Sequence, residues 1–229
     1  MLPFMNVDLH LHTFRSPDSL TTYEQVIRAV QERGLDAVAV TDHNTIRGAL
    51  ELREMAPFPV IVGEEIRTQV GEVIGYFLEE EIPPGLSLDE TIARIRDQGG
   101  LVAVPHPVDR VRRSSALGEA ETLRVLDQVD FVEGWNARCL FVEDNVRAQA
   151  LARQHGKPMT AGSDAHSWRE IGLAYVQVAP FEGPETFLAN MAKATIRGRR
   201  TPFPLRLASP WARVVRAVLR RRQGVRSEG

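Results

Sequence analysis

Short apolar runs alternate with amphipathic stretches along most of this 229-residue chain, and that alternation restricts the fold more than any other feature. Met5–Leu9, Ala37–Thr41, Val60–Val62, Val73–Leu78, Leu101–Val104, Phe131–Glu133, Met159–Ala161 and Ala174–Val178 are short and rich in Val, Ile, Leu or Phe, as buried strands are. Helical patterns lie between them. Thr22–Arg33 stops at Gly34, and Thr45–Met55 stops before Pro57. Leu88–Gln98 opens with Ser87 and Glu90 at capping-box spacing, Glu143–His155 ends at Gly156, and Pro184–Ala194 begins with proline at a tolerated early position. Strand–helix alternation of this kind implies a parallel sheet, and seven such units predict an α/β fold closed or nearly closed into a barrel. No repeat or linker divides the first 195 residues.

Composition narrows the setting. An apolar fraction of 43% supports an ordinary core, and no segment reaches the run of about 18 apolar residues expected of a membrane span. Residues 1–7 lack a basic stretch followed by an apolar one, which argues against a secretory signal. Cys139 is the only cysteine, so no internal disulfide forms and a cytoplasmic home fits; the thiol reads as buried and inert. Charge is distributed unevenly. Residues 1–192 hold 17 basic and 29 acidic side chains, whereas residues 193–229 hold 11 basic and one acidic.

Five of the six histidines lie just past apolar runs, with acidic residues a few positions away: His10 and His12, His43, His106 and His166. Imidazole and carboxylate are the ligands of borderline divalent metals. His10 and His12 are two apart on an extended segment, where side chains point the same way, so both can reach one ion. Asp164 and His166 repeat that spacing. Asp42 is placed to orient His43 from behind, and His106 is fixed between two prolines. Glu64 and Glu65 close the third strand; because side chains alternate, one of the two faces the barrel mouth. Asp18 taken alone reads as a turn residue. His155, in the last turn of a helix before Gly156, reads as structural. Most of these groups fall at or after C-terminal strand ends, the rim on which barrels build active sites. The residues alone therefore point to metal-assisted hydrolysis and leave the scissile bond open.

Taken together, Asp8-Leu9-His10-Leu11-His12-Thr13, Ser16-Pro17-Asp18-Ser19, Thr41-Asp42-His43-Asn44, Gly63-Glu64-Glu65-Ile66, His106-Pro107 and Gly162-Ser163-Asp164-Ala165-His166 resemble the PHP family, the polymerase and histidinol phosphatase domain. The resemblance runs from about Val7 to Val178. It implies a distorted seven-stranded (β/α) TIM-like barrel, assigned to residues 1–196; the residues themselves give a basic tail over 197–229, helical from about 210. It implies two or three divalent ions. One would be held by His10, His12, Glu65 and Asp164, a second by bridging Glu65 with His106, and a third by Asp18, His43 and His166. Many relatives place a histidine on the second ion just after the glutamate motif; here Glu72 stands in that segment. An oxygen-richer site leans toward manganese, with zinc or iron(II) as alternatives. The implied reaction is hydrolysis of a phosphate ester by metal-activated water, with Asp164, Glu65 and His106 at the chemistry. Arg138, Asn136 and Arg15 are the candidates for binding substrate, since a guanidinium can grip phosphate in bidentate fashion.

The tail reads as an amphipathic helix, with Trp211, Val214, Val215, Val218 and Leu219 on one face and arginines on much of the rest. It is expected to pack on the acidic body; binding to an anionic membrane surface or to nucleic acid is the competing expectation. Three functions follow: a phosphoesterase acting on a small phosphorylated metabolite or nucleotide, an exonuclease or phosphatase acting on nucleic-acid ends, and a catalytically idle metal-binding module. Oligomeric state is not legible.

Overall fold

The computed structural model describes residues 4–226, with side chains through Leu219. Among the described residues nine strands form one sheet: β1 Met5–Leu11, β2 Ala37–Val40, β3 Val60–Arg67, β4 Glu72–Tyr76, β5 Leu101–Val104, β6 Phe131–Asn136, β7 Met159–Gly162, β8 Ala174–Val178 and β9 Thr195–Gly198. Their order is β7-β6-β5-β4-β3-β2-β1-β8-β9. The sheet curls until its first and seventh strands meet. The segment after β7 bridges β1 in parallel at Leu11 and Ala165, with the Asp164 N–H donating to the His10 carbonyl and the His12 N–H to the Ala165 carbonyl. Strand β1 is thus shared: its first half pairs antiparallel with β8, and its second half closes the barrel.

The sheet is not wholly parallel, contrary to the pattern reading. Strand β4 runs antiparallel to both β3 and β5. Only residues 68–71 join β3 to β4, and a parallel return needs a dozen residues or more. Strand β9, absent from the sequence expectation, pairs antiparallel with β8 at the sheet edge.

Helices cover the outside: α1 Tyr23–Glu32, α2 Arg47–Met55, α3 Leu88–Asp97, α4 Gly118–Arg124 and α5 Val142–Gln154. Alternate strand residues build two layers. Val38, Val40, Val62, Val102 and Val104 pack outward with Val26 and Val30 of α1 and Ile92 and Ile95 of α3. Ala37, Ala39, Ala103 and Ala161 face inward, where their small size leaves room for Tyr76, Phe131 and Phe187. Phe187 belongs to α6 Pro184–Met191. Ser87 caps α3 by accepting from the Glu90 N–H, but the Glu90 side chain pairs with Arg94, so the expected box is half formed.

The tail is helical, as expected, and packs on the body through arginines rather than through its apolar face. After the short α7 Phe203–Arg206, helix α8 spans Ala208–Arg226. Its anticipated apolar face is exposed at Trp211, Val214, Val218 and Leu219, while Ser209 and Ala212 are buried against the barrel. No described helix is long and apolar enough to cross a membrane. Cys139 is 2% exposed, and burial pushes its thiol up. The thiol is therefore expected to resist iodoacetamide in the native protein and react on denaturation; rapid native labelling, read by mass spectrometry, would contradict this.

Candidate metal centre

Strand register decides which side chains reach the mouth. In β1 the pairing slips between Asp8 and Leu11. Val7 and Leu9 enter the inner cluster, Leu11 joins the outer one, and His10 and His12 are left facing the mouth. His106 and Asp164 have φ of 30° and 53°, a left-handed conformation disfavoured for residues with a Cβ. Each follows a strand end, and the turn aims the side chain back over the barrel. Strain of this kind persists only where surroundings hold it, and it concentrates at functional sites.

The nine groups singled out as ligands converge. His10 Nε2 and His12 Nε2 each lie 3.4 Å from Glu65 Oε2, and His12 Nε2 lies 3.3 Å from Asp164 Oδ1. His106 Nε2 is 3.1 Å from Glu65 Oε1 and 4.0 Å from Glu72 Oε2. His43 bridges two regions, with Nδ1 3.2 Å from Glu65 Oε2 and Nε2 3.5 Å from Asp18 Oδ2. His166 Nε2 is 3.4 Å from the same Asp18 oxygen. Two atoms that each bind one ion at about 2.1 Å stand about 3.0–3.4 Å apart, the spacing of most of these pairs; His106 and Glu72, at 4.0 Å, are farther apart. Glu65, rather than Glu64, is central; Glu64 turns away and accepts from the Ile82 N–H.

Neighbours hold the imidazoles in orientation. His10 Nδ1 donates to Glu133 Oε1 at 3.0 Å, and His166 Nδ1 donates to the Asp164 carbonyl at 2.8 Å. His12 Nδ1 meets Ser16 Oγ at 3.1 Å. Each of the three rings then turns Nε2 inward, as metal-binding histidines do. Asp42 does not orient the His43 ring as expected. It accepts from the Thr13 N–H and hydroxyl, and α2 comes so close at Gly48 that a Cβ there would overlap Asp42.

Electrostatics match a cation-binding site. Burial opposes ionisation of Asp18, but His166 and His43 hold it well below the usual carboxylate range. Burial likewise disfavours charge on His43, yet Glu65 and Asp18 push it up to about 10. Burial and the neighbouring His166 press His12 down to about 3, keeping it neutral, the form that binds metal. Burial and then Glu65 raise Glu72. Buried His10 Nε2, His12 Nε2, Asp18 Oδ1 and His106 Nδ1 have no hydrogen-bond partner. Unsatisfied buried polar atoms each cost about 1–3 kcal/mol, so the first three, which face one cluster, fit divalent ions well; His106 faces it through Nε2 instead.

The candidate substrate residues fare differently. Asn136 is buried at the site, donating to Glu133 Oε2 and Asp164 Oδ2. Arg138 reaches the same cavity but is paired with buried Glu170 at 3.1 Å. Arg15 points elsewhere, gripping Glu51 and Tyr23 on the outer surface. Sequence reasoning missed Arg112 as the ion-pair partner of Asp164, and also Glu133 as the anchor of His10 and of the His106 N–H. Glu133 sits at a strand end, a signal that was present; Arg112 stands in a cluster with Arg110 and Arg113 that read as a candidate for binding phosphate, with no local mark of its pairing to Asp164.

Comparisons with known proteins bear on the same segments. Residues 8–104 match the PHP domain, and residues 142–196 match the PHP-associated region. An uncharacterized protein of Methanocaldococcus jannaschii is 40% identical over 147 residues, 58% of this chain and 82% of its own length. A phosphoribosyl 1,2-cyclic phosphate 1,2-diphosphodiesterase of Eggerthella lenta is 32% identical over 130 residues, 50% of this chain and 49% of that protein. In fold, the chain resembles a two-domain protein from Bacteroides vulgatus that contains a predicted PHP-like metal-dependent phosphoesterase. That likeness has a TM-score of 0.71 and 17% identity over 86% of this chain and 66% of the other.

Proposed function

Because the chain belongs to the PHP family of metal-dependent phosphoesterases, we propose that it hydrolyses a phosphate ester carried on a small metabolite or nucleotide. The observation that carries this reading is the set of three unpartnered buried ligand atoms, His10 Nε2, His12 Nε2 and Asp18 Oδ1, in a cluster that opens into a cavity of about 450 Å³. That volume suits a small ligand. His10, His12, Glu65 and Asp164 would hold one ion. Glu65 would also serve a second with His106 and Glu72, and Asp18, His43 and His166 a third. Such ions supply an activated water at neutral pH and neutralise charge on phosphoryl oxygens.

The chain's own residues keep this set in place. Asn136 Nδ2 ties Glu133 to Asp164, so the anchor of His10 and a ligand move as a unit. Arg112 balances Asp164 and also binds Asp109, which fixes the segment after His106. The oxygen-rich set around Glu65, Glu72 and Asp164 favours manganese over zinc.

Two measurements test the reading. Elemental analysis after reconstitution should give at least two ions per chain, because nine ligands exceed the need of one; one ion or fewer would defeat it. Manganese-loaded protein should turn over p-nitrophenyl phosphate. Inactivity on every phosphate ester, with metal bound, would favour an idle metal-binding module. Preferential degradation of an end-labelled oligonucleotide would favour the nuclease reading.

A further inference from the structure

Helix α8 brings a cation to the site from a part of the chain without any ligand motif. Two latches fix the helix. Arg206 donates to the carbonyls of Arg138 and Cys139, and Arg138 donates back to the Arg206 carbonyl at 3.0 Å. Arg216 donates to the carbonyls of Phe14 and Ser19 in the loop after β1. Between these latches, Ser209 and Arg213 line the cavity that also contains Asp18, His43 and His166. Arg213 Nη2 lies 2.8 Å from Asp18 Oδ2.

The cavity's other arginines are committed to the protein. Arg112 serves Asp109, Asp164 and Asn136. Arg138 serves Glu170 and the Arg206 carbonyl, and Arg67 lies 3.5 Å from Glu72. Asp18 is the one described hydrogen-bond partner of Arg213, whose side chain is 68% exposed. A guanidinium carries five N–H donors, so most of its capacity remains for a ligand. Ser209 adds a buried hydroxyl without a hydrogen-bond partner.

Building on the phosphoesterase reading, we infer that Arg213 is a substrate-recognition residue, holding the phosphate of a small ester against the open side of the metal cluster. Its planar fork matches two phosphoryl oxygens, and Ser209 Oγ adjoins as a further donor. The helix that delivers Arg213 also walls one side of the mouth, which favours compact esters over polymers.

The test uses the manganese-reconstituted full chain and inorganic phosphate as the calorimetric probe. Arg213→Ala should weaken phosphate binding about tenfold or more, since a charged hydrogen-bond pair is lost. It should raise KM for p-nitrophenyl phosphate by a similar factor, more than it lowers kcat, with wild-type metal content. Arg213→Lys should recover part of the affinity through its point charge. Unchanged phosphate affinity would overturn the inference. So would loss of metal from Arg213→Ala, which would make Arg213 a support for Asp18 instead. Wild-type protein that neither binds phosphate nor cleaves its esters would sink the phosphoesterase reading and this inference with it. Active wild type with an unaltered Arg213→Ala would sink this inference alone.

Discussion

His10→Ala is expected to lower phosphate-ester turnover at least about a hundredfold and to reduce bound metal, while circular dichroism still reports a folded barrel. His10 presents Nε2 to Glu65 and Asp164 and is anchored behind by Glu133, so its loss opens the centre without emptying the hydrophobic layers. Asp164→Ala should abolish activity as well, but at a cost in stability that His10→Ala avoids. Arg112 is 28% exposed and would keep Asp109 but lose its Asp164 partner, and leaving donors of a charged group unpaired costs about 1–3 kcal/mol. Asp164→Asn keeps the shape and should show the milder melting shift of the two Asp164 variants. Activity above about a tenth of wild type in His10→Ala, a barrier change under ~1.4 kcal/mol, would remove His10 from the centre.

Gly162→Ala should destabilise the fold by about 2–3 kcal/mol or more and impair catalysis together with stability. Gly162 ends β7 where the barrel closes on β1. An added Cβ would stand 2.7 Å from the His10 nitrogen and 2.9 Å from its Cα, and would overlap its Cβ. Backbone has nowhere to yield there, because the next residues carry the closing hydrogen bonds from Asp164 to His10 and from His12 to Ala165. Urea melts of Gly162→Ala and Gly34→Ala provide the comparison. Gly34 has a positive φ but no neighbour within 4 Å of an added Cβ, so its penalty is conformational only and should be the smaller. Equal or reversed losses would contradict closure at Gly162.

The candidate ligand motifs were legible because they are local. An i, i+2 histidine pair after an apolar run, or an acid beside a histidine at a strand end, can be seen within a few residues and points to the barrel rim wherever the strand lies. Strand periodicity and helix stops were legible for the same reason: side-chain period and backbone propensity act over one or two turns. Glu64 and Glu65 mark the limit. Alternation required one of them at the mouth, but only the pairing of β3 with its neighbours selected Glu65.

Contacts between segments distant in sequence were decided by tertiary structure. The antiparallel course of β4 follows from a short connection whose consequence depends on where β5 lies. The partners of Arg15, Arg112 and Arg138 depend on which carboxylates folding brings within reach, and 26 chemically identical side chains carry no local mark of that choice. The tail shows it most clearly. Its amphipathic pattern identified a helix, and the charge of the body suggested that it would pack there, but neither said which face would dock. In the structure the docked face is the one whose arginines find backbone carbonyls and Asp18 at the mouth, 195 residues away along the chain. Periodicity tells a helix which faces it has; the surface it meets decides which of them is buried.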